Sequence, residues 1–152
     1  RGFLTLKNTT TTYTGDWIIG GVNSNSTSQP ANLVGDTAGS LGTGDITVGT
    51  NGRLDIKYDY NVPDAVLTLT ATDGTRAAGT IMLDHNLTFG TVNIGATSLS
   101  PGTYSFATLN AAYDAYFVNG GSGQITVVPE PAAIASVGII GLAALARRRR
   151  GR

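Results

Sequence analysis

The hydrophobic positions of this chain fall into short alternating groups. Phe3-Leu4-Thr5-Leu6, Ile46-Thr47-Val48, Arg53-Leu54-Asp55-Ile56, Val66-Leu67-Thr68-Leu69-Thr70 and Gln124-Ile125-Thr126-Val127 place apolar side chains two residues apart. That period belongs to a half-buried β-strand, whose successive side chains point to opposite faces. Trp17-Ile18-Ile19, Ala78 to Leu83, Asn86 to Phe89, Thr91 to Ile94 and Tyr104 to Phe106 read as further short strands. Glycine, asparagine, aspartate and proline punctuate them. Asn23 to Asn32, with Pro30, reads as a loop, Leu41 to Asp45 as a turn, Asp59 to Pro63 as a loop or bulge. Asn51-Gly52 between two alternating runs is a tight-turn signal. One stretch before the tail has helical character: Leu109, Ala112, Tyr113 and Tyr116 follow the i, i+3, i+4, i+7 spacing, which predicts a helix within Thr108 to Phe117.

A loose apolar-polar-apolar group recurs at Leu4/Leu6, Ile46/Val48, Leu67/Leu69, Val92/Ile94 and Ile125/Val127. Recurrence of this kind predicts an all-β solenoid in which each coil buries its apolar face on its neighbours. A β-sandwich has similar short strands and is the alternative.

The C-terminal end follows a different pattern. Ala132 to Ala146 is a run of fifteen residues without a charge, its only polar side chain Ser136. Ala132, Ile134, Val137, Ile139, Ile140, Leu142 and Leu145 make it apolar, and alanine and leucine favour helix. Pro129-Glu130-Pro131 precedes it, and Arg147, Arg148, Arg149, Arg150 and Arg152 follow. At about 1.5 Å per residue the run spans roughly 22 Å, short of a hydrocarbon core of roughly 30 Å. Arginine snorkelling and local thinning close part of that gap. The reading is a transmembrane helix over 132–146, with the arginines cytoplasmic and the preceding chain outside.

Charge agrees with that topology. Residues 1–131 hold all ten acids and five cations (Arg1, Lys7, Arg53, Lys57 and Arg76), while the tail holds five arginines. An acidic body does not suit nucleic acid, whose readers need basic faces. The chain has no cysteine, hence no disulfide framework and no thiol chemistry. Twenty-one glycines, with abundant threonine, serine and asparagine, make a turn-rich β composition. The chain opens on Arg1 without an apolar signal pattern, so the reading expects the C-terminal part of a longer exported product.

Site chemistry is sparse. His85 is the sole histidine, flanked by Asp84 and Asn86, and zinc sites need several Cys or His ligands. Asp55, Asp59 and Asp64, and Asp36 with Asp45, are scattered rather than set at calcium-loop spacing. Glu130 is the only glutamate, so a glycosidase-like carboxylate pair would need two aspartates. Tyr13, Trp17, Tyr58, Tyr60, Tyr113 and Tyr116 could line a sugar-binding face; ring stacking within the β body is the favoured reading.

Two resemblances add to this. Pro129-Glu130-Pro131, the apolar run and the arginine cluster, in that order from Val128 to Arg152, resemble the PEP-CTERM sorting signal. The resemblance implies an exosortase-type membrane processing enzyme as partner and cleavage near Pro-Glu-Pro. Leu4-Thr5-Leu6-Lys7-Asn8 through Tyr13-Thr14-Gly15, and Ser40 to Val48 through Ile56, resemble the autotransporter-associated β-strand repeat. That resemblance implies a right-handed parallel β-helix; Asp16-Trp17 and the long stretch 23–32 depart from its pattern.

The expected organisation is a β-rich extracytoplasmic passenger over 1–128, a hinge over 129–131, a membrane helix over 132–146 and a cytoplasmic tail over 147–152. The expected function is that of a non-enzymatic surface or extracellular-matrix protein, structural or adhesive, held at the inner membrane in transit. A polysaccharide-acting β-helix enzyme and a glycan-binding module are the alternatives. No cofactor and no nucleic acid are expected; the inner membrane and extracellular polysaccharide are.

Overall fold

The computed structural model describes residues 2–8, 12–20, 30–71 and 78–129. It is mostly β: β1 (Gly2–Leu6), β2 (Trp17–Ile19), β3 (Ala31–Gly35), β4 (Ile46–Val48), β5 (Gly52–Ile56), β6 (Tyr60–Leu69), β7 (Thr80–Met82), β8 (Asn86–Ile94), β9 (Thr97–Ser98), β10 (Gly102–Ser105) and β11 (Gln124–Val127). One short helix, α1 (Phe106–Tyr113), and a single tight helical turn, Asp114–Tyr116, lie between β10 and β11. Among the described residues no helix is long and apolar enough to cross a membrane. The helix expected over 132–146 lies outside them.

The chain alternates between two sheets. One has the order β1-β3-β5-β7, and the other β10-β11-β8-β6-β4-β2. From β1 to β8, each odd strand joins the first sheet and each even strand the second, so every pair of strands is one circuit. Strands of successive circuits pair in parallel. A sandwich with Greek-key connections has antiparallel pairing instead.

The register stacks like on like. Leu4, Leu33, Leu54 and Ile81 form one row of the first sheet. Trp17, Ile46, Leu67 and Val92 form a row of the second, and Ile19, Val48, Leu69 and Ile94 another. Of the recurring apolar pairs of the sequence, Ile46/Val48, Leu67/Leu69 and Val92/Ile94 are these rows; Leu4/Leu6 lies in the first sheet, and Ile125/Val127 pairs with Leu87 and Phe89 farther along β8. Apolar positions two residues apart point inward, and both sheets feed one core. Slipping β4, β5 or β11 by one residue would turn its apolar set to water, so their alternation fixes the register.

Two expectations are corrected. First, Ala31 and Asn32 belong to β3 rather than to a loop, and Leu33 in that strand is buried. Second, β6 and β8 run through the expected interruptions at Asp59–Pro63 and Gly90. The pairing shifts between Val62 and Val66, so Pro63, Asp64 and Ala65 bulge opposite Gly90. Proline cannot donate to a ladder and is tolerated at such a bulge. A Cβ on Gly90 would stand 2.4 Å from the Pro63 carbonyl oxygen, so only glycine fits there. The tight turn expected at Asn51-Gly52 is present, and it forms a corner between the two sheets. Asn51 takes φ 60°, and Gly52 N–H donates to Gly49 O at 2.7 Å. The chain then enters β5 in the other sheet.

The helix starts two residues before the expected span, because Ser105 caps it: its hydroxyl accepts from Thr108 N–H at 3.3 Å. Leu109 enters the core; Ala112 does not. Phe117 pairs with Ile81 beyond the edge of β7, and Val118 N–H donates to Ile81 O at 3.0 Å. Thus α1 and the segment after it close this end of the body.

Candidate functional site

The junction between the β body and the tail is built from β11. Ile125 and Val127 point inward and are buried, while Gln124 and Thr126 are half-buried. β11 is clamped on both sides, parallel to β8 and antiparallel to β10. Val127 faces Phe89 on one side and Gly102 on the other. One more backbone bond follows, from Val128 N–H to Phe89 O at 3.0 Å. The next residue is Pro129, which is exposed and has no N–H to donate. The ladder therefore stops where Pro-Glu-Pro begins, and Val128, preceding a proline, is held to extended backbone.

Of the expected sorting residues, Pro129 alone is described. Glu130, Pro131, the apolar positions Ala132, Ile134, Val137, Ile139, Ile140, Leu142 and Leu145, and Arg147 to Arg150 with Arg152 lie outside the described residues.

Residues 127–150 match the model of the PEP-CTERM protein-sorting motif. The match begins on the last buried residue of β11. It points to a secreted or surface protein that reaches the cell exterior through membrane processing, with an exosortase as partner. No curated protein and no solved structure matches the chain.

The other candidate residues are the aromatic rings and the aspartates of the β body. The Tyr13 and Trp17 rings meet at the β1/β2 end with centroids 4.9 Å apart and planes tilted by 49°. The Trp17 indole N–H donates to Leu41 O at 2.8 Å, so its polar edge is used within the fold. Tyr60 lies in the core between Tyr58 and Phe89, at 6.0 and 5.7 Å. Its hydroxyl donates to Gly42 O at 3.0 Å, and burial, then Tyr58, raises its pKa well above the ordinary 10.0. Tyr113 and Tyr116 pack against the core near α1. Trp17, Tyr58 and Tyr60 thus gather at the turn 40–42, where the Tyr58 hydroxyl accepts the Leu41 N–H at 3.3 Å, while Tyr113 and Tyr116 lie apart from them near α1.

The aspartates are spread along the chain, and three of them accept a backbone N–H of the next circuit. Asp16 Oδ1 accepts the Asp45 backbone N–H at 3.1 Å, and Asp45 Oδ1 accepts that of Val66 at 2.8 Å. Each carboxylate thus ties its circuit to the next. Asp36 lies 3.9 Å from the Lys7 ammonium and 3.4 Å from that of Lys57. Asp59 Oδ1 accepts Asn86 N–H at 3.0 Å and lies 3.7 Å from His85 Nδ1. Its pKa is lowered, first by the Asn86 backbone bond, against some desolvation, then by the Asn86 amide and the His85 charge. Asp55 lies on β5, and Asp64 is exposed in the bulge. Among the described residues no group of three His, Cys, Asp or Glu is placed to hold a metal.

Sequence reasoning passed over the aspartate ties and the Val128 bond. The first had a signal: Gly15-Asp16 and Gly44-Asp45 repeat one dipeptide just ahead of β2 and β4. A Cβ on Gly44 would stand 2.0 Å from the Gly15 carbonyl oxygen, so the glycine permits the approach that the aspartate needs. The Val128 bond had no local signal, since its acceptor, Phe89, is distant in sequence.

Proposed function

We propose that the chain is a non-enzymatic passenger exported to the cell surface or extracellular matrix, structural or adhesive in role. The observation that carries this reading is the sorting match at 127–150 attached to a β body whose last ladder bond is at Val128. The body is a parallel β-helix, as the repeat resemblance implies, and its support is the parallel pairing of successive circuits in both sheets.

In this reading the tail acts in three parts. Ala132 to Ala146 forms a single membrane-spanning helix in the inner membrane. Arg147 to Arg152 hold its end in the cytoplasm, where basic flanks remain. Pro129-Glu130-Pro131 keeps the linker extended, since neither proline can donate to a helix or a ladder. Three residues separate Val128 from Ala132, four steps of the chain and at most about 14 Å when extended. The closed end of the β body therefore rides against the membrane surface, with the processing motif in the gap. An exosortase-type enzyme then acts at the motif and releases the passenger. A helix of this length is marginal as a permanent anchor, which suits a temporary one.

The test is a tail variant in a host that carries the processing enzyme. Pro129→Ala with Glu130→Gln is expected to leave the full-length chain in the inner-membrane fraction while the β body stays folded. Release of that variant at the native rate would overturn the reading. Replacing the five arginines by glutamine is expected to lower the fraction correctly oriented, read by protease access from the outside.

A further inference from the structure

Leu4, Leu33, Leu54 and Ile81 share one inward row, yet Leu4 is 49% exposed where the others are 3%, 0% and 0%. The side chains are alike. The difference is that, among the described residues, no strand pairs on the outer side of β1. β1 ends the first sheet and β2 ends the second, so both ladders open at the same circuit. A groove of about 300 Å³ crosses this end, lined by Leu4, Trp17, Ile19 and Leu33 among others. Exposed strand edges with apolar side chains are templates for further pairing.

The open end has a direction. The Asp16 carboxylate serves the circuit after it, and Asp45 does the same. The corner glycines obey the same order, with Gly42 and Gly44 set against the carbonyls of Tyr13 and Gly15 in the preceding circuit. Asp16, Asp45 and Val66 immediately precede the aligned residues Trp17, Ile46 and Leu67. The Asp16 amide is therefore placed to meet a carboxylate from a circuit before it. A second copy turned about a two-fold axis would bring its own Asp16 amide there, donor against donor.

We propose that the β1/β2 end is a docking surface for one more circuit in the same sense, supplied by the same polypeptide ahead of Gly2. Its first strand lies parallel to β1 with an apolar residue over Leu4. Its second lies parallel to β2 with apolar residues over Trp17 and Ile19, and its corner carries a Gly-Asp pair whose carboxylate accepts from the Asp16 amide. The proposal rests on the ladders and is independent of the sorting reading.

The chain itself supplies the probe. Gly2, Ala31 and Gly52 occupy the same register position, and Asn51 leads directly into Gly52. A copy of residues 31–51 joined ahead of Gly2, in place of Arg1, enters in register. Amide exchange is then compared in the full chain with and without the added circuit, and with a scrambled copy of it. The added circuit is expected to slow exchange across β1 and β2 by about tenfold or more, leave β11 unchanged, and keep the protein monomeric. The scrambled copy is expected to do none of this. Unchanged exchange in β1 and β2 with the added circuit would overturn the proposal. So would finding the unextended chain already dimeric with β1 and β2 protected, which assigns the surface to a second copy. Leu4→Asp gives a further check: it should lower the melting temperature of the extended chain by several degrees more than that of the unextended one.

Discussion

At the β1/β2 end, Leu4 is half exposed and Phe3 and Ile18 stand in water; at the opposite end, Leu109 and Phe117 are buried under α1 and the segment after it. The inward rows are of the same kind at both ends. What differs is how each ladder finishes. At the closed end the parallel pattern is broken on purpose: β10 runs antiparallel to β11, and Thr103 and Ser105 leave polar side chains at that edge. A polar, antiparallel edge invites no further pairing. Phe117 extends the first sheet by one bridge, and its ring meets Phe106 edge-on at 6.4 Å. The sorting segment leaves from this finished end. A processing enzyme would therefore meet a strand clamped on both sides up to Val128, with the exposed Pro129 next in line.

Substitutions at matched positions separate the two ends. Phe117→Ala should cost about 3–5 kcal/mol in urea unfolding, while Phe3→Ala, at an exposed position, should change stability by less than about 0.5 kcal/mol. Equal losses would mean that the β1 end is as well covered as the other. Within a single row, Leu54→Ala should cost about 2–5 kcal/mol and Leu4→Ala about 1 or less, because only Leu54 leaves a closed cavity. A large loss at Leu4 would place a partner over it.

A smaller effect belongs to the cap alone. Ser105→Ala removes the bond to the Thr108 N–H and should cost about 1 kcal/mol. It should raise amide exchange in α1 while leaving β1 and β2 as they were; a uniform change across both ends would contradict the separation.

The smallest effect is a pH dependence from the body between the two ends. Burial raises the Tyr60 pKa above its unfolded value of 10.0. Between those two values the folded state holds the proton that the unfolded state has released, so stability falls as pH rises past about 10. Tyr60→Phe should flatten that slope, read as the urea midpoint between about pH 9 and 11, although it also removes the bond to Gly42 O. An unchanged slope would mean that the hydroxyl is hydrated in the native state.

Strand positions such as 46–48, 53–56 and 124–127 were legible because alternation is local and each group lies in an open run between turn residues. β3 was not. Leu33 and Val34 are adjacent apolar residues, both buried, so the strand shows no alternation. The sequence alone divides β6 at Pro63, since a proline stops a ladder locally, whereas the bulge carries the strand past it. Asn51-Gly52 was legible as a turn but not as a corner, since the sheet that receives the next strand is decided by contacts far along the chain. The sorting segment was the most legible part, as its three components are contiguous and need no tertiary partner. The clamp that sets its starting point, between Phe89, Gly102 and Val127, exists only after folding.

The central claim is that this β body is sorted through its tail and cut free at the motif where the ladder ends. Intact mass of the protein recovered from the cell exterior tests it most directly. The account predicts a species that keeps β11 and lacks Ala132 to Arg152, with its new C-terminus within a few residues of Pro129. An exterior species that retains Arg147 to Arg152 would contradict it.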